Sequence, residues 1–177
     1  MRITGGTLRG RIIEVPAGII RPSMDKMRES VFACLGDLSG LSFLDVFSGS
    51  GIIAIEAASR GAVYVEAVEQ DKLKRKTLLD NVSISPVRIN CRFMPAELYV
   101  KRAKTAFNII FLDPPFPYQY KWELTANIAL SRLTAKGSRI LIHRPREDRQ
   151  KTDIQHLEIT DSREYGRSVV DFFSVTK

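Results

Sequence analysis

The run Phe107-Asn108-Ile109-Ile110-Phe111-Leu112 stops at Asp113-Pro114-Pro115-Phe116, and this junction constrains the chain more than any other stretch. A short apolar segment rich in β-branched and aromatic residues, bounded by turn formers, suits a strand covered on both faces, as in a parallel sheet. Asp113 then sits at a strand's carboxyl end. A residue before proline is pushed into an extended conformation and each proline fixes its own φ, so the loop is stiff. Neither proline has an amide hydrogen. The turn therefore offers carbonyl oxygens and the Asp113 carboxylate, acceptors with few donors of their own. The exocyclic amino group of a nucleobase suits such a set, with one hydrogen for Asp113 and one for the Pro114 carbonyl, while Phe116 gives the flat ring a face to stack on. The plain alternative is a rigid strand-to-helix turn, and a cofactor site upstream would weigh against it.

Asp45-Val46-Phe47-Ser48-Gly49-Ser50-Gly51 has the character of such a site. A strand, a glycine turn and the alanine-rich helix Ile52 to Ser59 open a nucleotide-binding βαβ unit, in which glycines let a ligand approach the backbone at a helix amino terminus. The spacing Gly49-x-Gly51-x-x-Ala54 also satisfies the dinucleotide fingerprint, so by itself it does not separate NAD from S-adenosylmethionine. The next strand, Tyr64 to Glu69, ends in an acid roughly 20 residues beyond the glycines, where such folds bind ribose hydroxyls. Glu69 is the expected ribose ligand.

In chain order, Ile3 and Ile12-Ile13 flank the turn formers Gly5-Gly6 and Gly10 and predict a hairpin over Arg2 to Glu14, decorated by Arg2, Arg9 and Arg11. Apolar residues at helical spacing predict a helix from Met24 to Leu35 with Ser23 as its cap. Strands follow at Ser42 to Phe47 and Val87 to Phe93, then a helix opening at Pro95-Ala96-Glu97, where proline is tolerated. Beyond Phe116 come a helix around Tyr120 to Leu133, a fifth strand Arg139 to His143, and two tail strands, Gln155 to Glu164 and Ser168 to Val175, joined through Tyr165-Gly166. No linker or repeat divides the chain, so one domain is expected: a basic hairpin over 1–20 and a doubly wound core over 21–177. Ligands of such sheets bind at the carboxyl ends where strand order switches, with strands one and four adjacent. That brings the glycine turn beside Asp113. A dehydrogenase has no need of an acceptor clamp with an aromatic platform; a methyltransferase acting on a planar amine does.

A net charge of +7 favours a polyanionic partner. Arg21-Pro22-Ser23, Lys26 and Arg28 extend the stripe begun by Arg2, Arg9 and Arg11, and nucleic-acid contact is preferred there over a solvated edge. The basic stretch Arg144 to Lys151 reads as a loop touching a nucleic-acid backbone. Cys34 and Cys91 stand alone, with His143 and His156 the only other soft ligands, so neither a disulfide nor a metal site is expected. A cytoplasmic compartment is expected, because the amino terminus lacks a signal peptide's apolar core and no run approaches membrane-spanning length.

Arg21-Pro22-Ser23 through Arg28-Glu29, the glycine turn and Asp113-Pro114-Pro115-Phe116, in this order and following Gly5-Gly6, resemble the RsmD family of bacterial 16S ribosomal RNA (guanine(966)-N(2))-methyltransferases. The resemblance spans nearly the whole chain, including the closing Tyr165-Gly166. It implies a class I, Rossmann-like α/β methyltransferase with a mostly parallel seven-stranded sheet, helices on both faces and an N-terminal β-hairpin. It also implies S-adenosylmethionine as cofactor and the 16S rRNA of the small ribosomal subunit as substrate, bound by a monomer. Residue by residue, it assigns Asp45, Ser48, Gly49 and Gly51 to the methionine end of the cofactor, Glu69 to its ribose and Ala96 to its adenine. Asp113 and Phe116 go to the guanine, beside the Pro114 carbonyl read from the loop itself, and the charge reading makes Arg2, Arg9, Arg11, Arg21, Ser23 and Arg28 the expected RNA contacts. Two positions depart from the pattern: Pro95 stands where relatives usually carry an acid, and His143 where the fifth strand often ends in glutamate. Two rivals stay open, an adenine-N6 DNA methyltransferase, disfavoured by the lack of a sizeable target-recognition domain, and a ribosome-assembly factor with weak or lost methylation activity.

Overall fold

Alternate residues of the central strands face two different cores. Phe43, Ile109, Phe111 and Leu141 join one buried cluster, and Leu44, Ile110, Leu112 and Ile142 the other, as expected of strands covered on both faces. The structure, a computed structural model, describes residues 1–15 and 23–177, apart from the side chains of Ser23 and Met24. The elements are α1 (Ser23–Leu35), β1 (Ser42–Val46), α2 (Ile52–Ser59), β2 (Tyr64–Val68), α3 (Arg75–Val82), β3 (Ile89–Arg92), α4 (Ala96–Arg102), β4 (Ile109–Leu112), α5 (Lys121–Leu130), β5 (Arg139–Pro145), β6 (Leu157–Tyr165) and β7 (Ser168–Val175). They build a seven-stranded sheet in the order β3-β2-β1-β4-β5-β7-β6. Strands β1 to β5 run parallel, and β7 and β6 add an antiparallel edge. Residues of α1 and α2 fill the first core and those of α4 and α5 the second. The order reverses between β1 and β4, the switch point at which doubly wound sheets bind ligands.

The expected hairpin over Arg2 to Glu14 is present as two arms bonded through Met1 and Ile13, Ile3 and Arg11, and Gly10 and Ile3, with Arg2 opposite Ile12, but its tip is a 3-10 turn at Gly6–Leu8 and the arms form no regular strands. Docking explains the difference. Ser59, at the end of α2, accepts the Leu8 amide at 2.8 Å and donates to the Gly5 carbonyl at 2.7 Å. Gly6 has φ +73°, and a Cβ there would lie 1.8 Å from the Ser59 carbonyl oxygen, so only glycine permits this approach. The backbone groups of the tip thus bond to α2 rather than to a second strand. At the other end of the flap the Met1 carbonyl accepts from Ile13, and the Met1 sulfur lies 3.8 Å from the Ser50 hydroxyl. The flap lies along α2, its tip at the helix's carboxyl end and its two ends by the glycine turn.

Arg28 does not join an exposed basic stripe. It is 1% exposed, and its guanidinium donates to Glu56 at 3.3 Å, to Asp25 at 2.9 Å and to the Arg2 carbonyl. A planar fork of donors suits this convergence of acceptors, and the residue ties flap, α1 and α2 together. The reading of Arg144 as part of a nucleic-acid loop is corrected in the same way. Strand β5 runs on to Pro145, and Arg144 is a buried partner of Asp171, bonded through both Nε and a terminal nitrogen. Arg2, Arg9 and Arg11 are exposed. Arg21 and the side chain of Ser23 lie outside the described residues; the Ser23 backbone is the first residue of α1 and does not precede it.

Candidate active site

The carboxyl end of β1 is shaped by two acids. Asp45 is 1% exposed; its Oδ2 accepts from the Ser48 hydroxyl at 2.6 Å and the Ala54 amide at 3.2 Å. Burial pushes its carboxyl up to about 7, against the lowering effect of the Ser48 hydroxyl, and the charge of Asp113 adds to the rise. Its Oδ1 is buried and has no hydrogen-bond partner among the described residues, which leaves an acceptor matched to a cationic donor. Glu69, just beyond β2, uses its carboxylate to shape the turn: Oε2 accepts the Gly49 amide and Oε1 the Asp71 amide, both at 2.8 Å. Gly51 precedes α2 at φ +83°, and a Cβ there would come within 2.7 Å of Leu78. Phe47, between the acid and the glycines, adopts a left-handed φ of +68°, uncommon for a residue with a bulky side chain. Asn81 of α3 clips the turn to the flap, accepting from the Glu14 amide at 3.0 Å and donating to the carbonyls of Ser50 and Glu14 at 2.9 Å.

Strand β4 delivers the second half of the site. Val46 is paired with Leu112, and the Asp113 amide donates to the Val46 carbonyl at 3.2 Å, so the loop at Asp113 starts beside the glycine turn. The Tyr118 amide donates to the Pro115 carbonyl at 2.8 Å and folds the loop back on itself. Tyr118 then packs on Phe47, with ring centroids 5.3 Å apart, and its hydroxyl donates to Glu97 at the start of α4. Burial raises the Tyr118 hydroxyl well above its ordinary range, with the Glu97 bond adding to the effect. Tyr120, which is 64% exposed, stands edge-on to Tyr118 at 6.0 Å. Lys121 is buried against the loop, reaching the Phe116 carbonyl at 3.5 Å and pairing with Asp148. On the β5 side, His143 Nδ1 lies 2.7 Å from Asp113 Oδ1, and the imidazole meets the Phe116 ring edge-on at 5.5 Å.

Asp45, Ser48, Gly49, Gly51, Glu69 and Asp113 therefore converge at the carboxyl ends of β1, β2 and β4, with Pro114 and Phe116 on the same loop. Ala96 opens α4 behind Pro95, which takes the cap position. The sequence reading singled out His143 only as a departure from the family pattern, with no role, and missed Phe47, Tyr118 and Asn81. A signal existed for His143 alone: a polar residue ending the apolar run Ile140-Leu141-Ile142, on the strand expected next to Asp113.

The family profile described as Conserved hypothetical protein 95 matches residues 1–174, and YlbH of Bacillus subtilis, a candidate rRNA methyltransferase, is 30% identical over 180 residues, covering 98% of both chains. The chain belongs to the RsmD family. Ribosomal RNA small subunit methyltransferase D of Escherichia coli is 34% identical over 120 residues, an alignment spanning 66% of this chain and 60% of that enzyme. The solved Escherichia coli methyltransferase candidate yhhF superposes with a TM-score of 0.90 at 26% identity, over 99% of this chain and 98% of its own. This RsmD-family chain has the class I methyltransferase fold, and S-adenosylmethionine is the cofactor of that fold and family. The donor set fits it, since the orphaned, buried Asp45 Oδ1 suits the cofactor's ammonium group and Glu69 already stands at the turn's second acid position. Among the described residues no helix is long and apolar enough to cross a membrane.

Proposed function

We propose that this chain methylates ribosomal RNA, at the exocyclic N2 of one guanine in the 16S rRNA of the small subunit. The observation that carries the reading is the abutment of the acceptor-rich Asp113-Pro114-Pro115-Phe116 loop and the glycine turn, through the Val46–Leu112 pair. When bound, S-adenosylmethionine would supply an activated sulfonium methyl here, its carbon–sulfur bond breaking as the carbon–nitrogen bond forms. Asp45, Ser48, Gly49 and Gly51 hold its methionine end, Glu69 its ribose, and Ala96 borders its adenine. The guanine N2 lone pair is delocalised into the ring, so the amino group must be turned before it can attack. Asp113 and the Pro114 carbonyl accept its two hydrogens and set that orientation, and Phe116 stacks the base. Once methylated, the nitrogen would be a strong acid, and Asp113 or water would take its proton. The exposed Arg2, Arg9 and Arg11, with Arg21 and Ser23, bind the RNA backbone.

The test is transfer of labelled methyl from S-adenosylmethionine to small subunits lacking the modification, with free rRNA and DNA alongside. Label confined to one guanine of the small subunit supports the reading. Label on DNA adenine, or none on any nucleic acid, removes it.

Cofactor binding is expected to strengthen as pH rises through about 7, because the cationic amino group favours ionised Asp45 whereas burial opposes ionisation beforehand. A fraction of a proton should leave per S-adenosylhomocysteine bound near pH 7, more at lower pH and less at higher. Calorimetry in two buffers of different ionisation enthalpy measures it. Equal release from Asp45→Asn would assign the titration elsewhere.

A further inference from the structure

We infer that His143 is a positioning residue for methyl transfer, holding one oxygen of Asp113 so that the other faces the substrate amino group. This rests on the proposed reading of Asp113 as the acceptor for that amino group. Pairing of Leu112 with Ile142 places the next residues of β4 and β5 side by side, and His143 Nδ1 lies 2.7 Å from Asp113 Oδ1. The burial of the two partners is unequal: the imidazole is 5% exposed and the carboxylate 23%. The histidine therefore stands behind the acid, and the acid stands at the mouth. A carboxylate oxygen is an acceptor, so Nδ1 is the donor of this contact. Nε2 is buried and has no hydrogen-bond partner among the described residues. All the polar bonding that the described residues give this imidazole is thus directed at Asp113.

Two features argue for positioning over a histidine that merely satisfies itself in the core. The terminal torsion of an aspartate is broad, so a carboxylate at the start of a loop needs an outside contact to choose its orientation. A donor on β5, a strand flanked by β4 and β7, is such a contact. The same imidazole also packs edge-on against Phe116 at 5.5 Å, so one side chain braces both groups assigned to the base. The protein thereby sets the acceptor before the substrate arrives.

The experiment compares His143→Ala, His143→Asn and His143→Gln in steady-state methylation of small subunits, with KM for S-adenosylmethionine and the melting temperature of each. An asparagine amide nitrogen falls near the Nδ1 position, whereas a glutamine amide nitrogen falls near Nε2. Alanine and glutamine are expected to lower kcat about tenfold or more with the cofactor KM within about twofold of wild type, and asparagine to recover most of the rate. Where the alanine variant does not fold, the asparagine–glutamine pair decides. Equal rates for the pair, or an alanine variant as fast as wild type, would overturn the inference. A wild-type enzyme that methylates no RNA would instead sink the proposed function, which separates the two failures.

Discussion

Asp113→Ala is expected to slow methyl transfer at least about 100-fold while cofactor affinity stays within about twofold of wild type, the scale at which a group acting on the reacting atoms is felt. The split follows from where the carboxylate points. Its Oδ1 is engaged by His143 and its side chain is partly open at the mouth, whereas the groups assigned to the cofactor cluster on Asp45, the glycine turn and Glu69. Asp113→Asn keeps the shape, yet it should fare little better. His143 donates through Nδ1, so the asparagine carbonyl turns toward it and the amide NH2 faces the substrate, a donor set against a donor. Single-turnover methylation and cofactor titration on both variants check this pair of expectations. Turnover by Asp113→Asn close to wild type would show that the carboxylate's charge and acceptor capacity are not what the reaction uses.

The sheet and the heart of the site were legible in the sequence because their signals are local. An apolar run ending in Asp-Pro-Pro, a glycine turn before an alanine-rich helix and the strand order of doubly wound sheets together bring Asp113 beside the glycine turn, in agreement with the Val46–Leu112 pair. What the sequence misstated depends on partners far along the chain. The flap's polar groups bond to Glu56 and Ser59, some fifty residues away, and no pattern within residues 1–15 says so. Arg28 and Arg144 read as surface charges until Glu56 and Asp171 are found beside them in the core. For His143, the neighbouring strand could be foreseen, but the contact with Asp113 needs the register of that strand, and a slip of one residue would turn the imidazole to the opposite face.

Glu56→Ala should cost about 3–5 kcal/mol of stability, the usual penalty for removing one member of a buried ionic cluster. Glu56 is fully buried in the middle of α2, and its carboxylate accepts from the Thr4 amide at 2.8 Å, the Thr4 hydroxyl at 2.7 Å, Arg60 at 2.9 Å and Arg28 at 3.3 Å. Its loss leaves two guanidinium groups without their shared counter-charge, one of them almost wholly buried. Urea unfolding measures the penalty as a fall in midpoint at constant slope; a loss below about 1 kcal/mol would mean that solvent enters and relieves both arginines. The flap should loosen before the sheet does, because Glu56 bonds it directly while the strands keep their own ladders. Trypsin should then cut at Arg9 or Arg11 in the variant under conditions where wild type resists. Glu56 holds the flap through Thr4 near its tip, whereas Asn81 independently holds the far end and the Ser50 carbonyl, so the basic tip comes loose while the glycine turn keeps its clip. The activity that survives is therefore expected to show a raised KM for the ribosomal substrate and an unchanged KM for S-adenosylmethionine, a division that general unfolding would not produce.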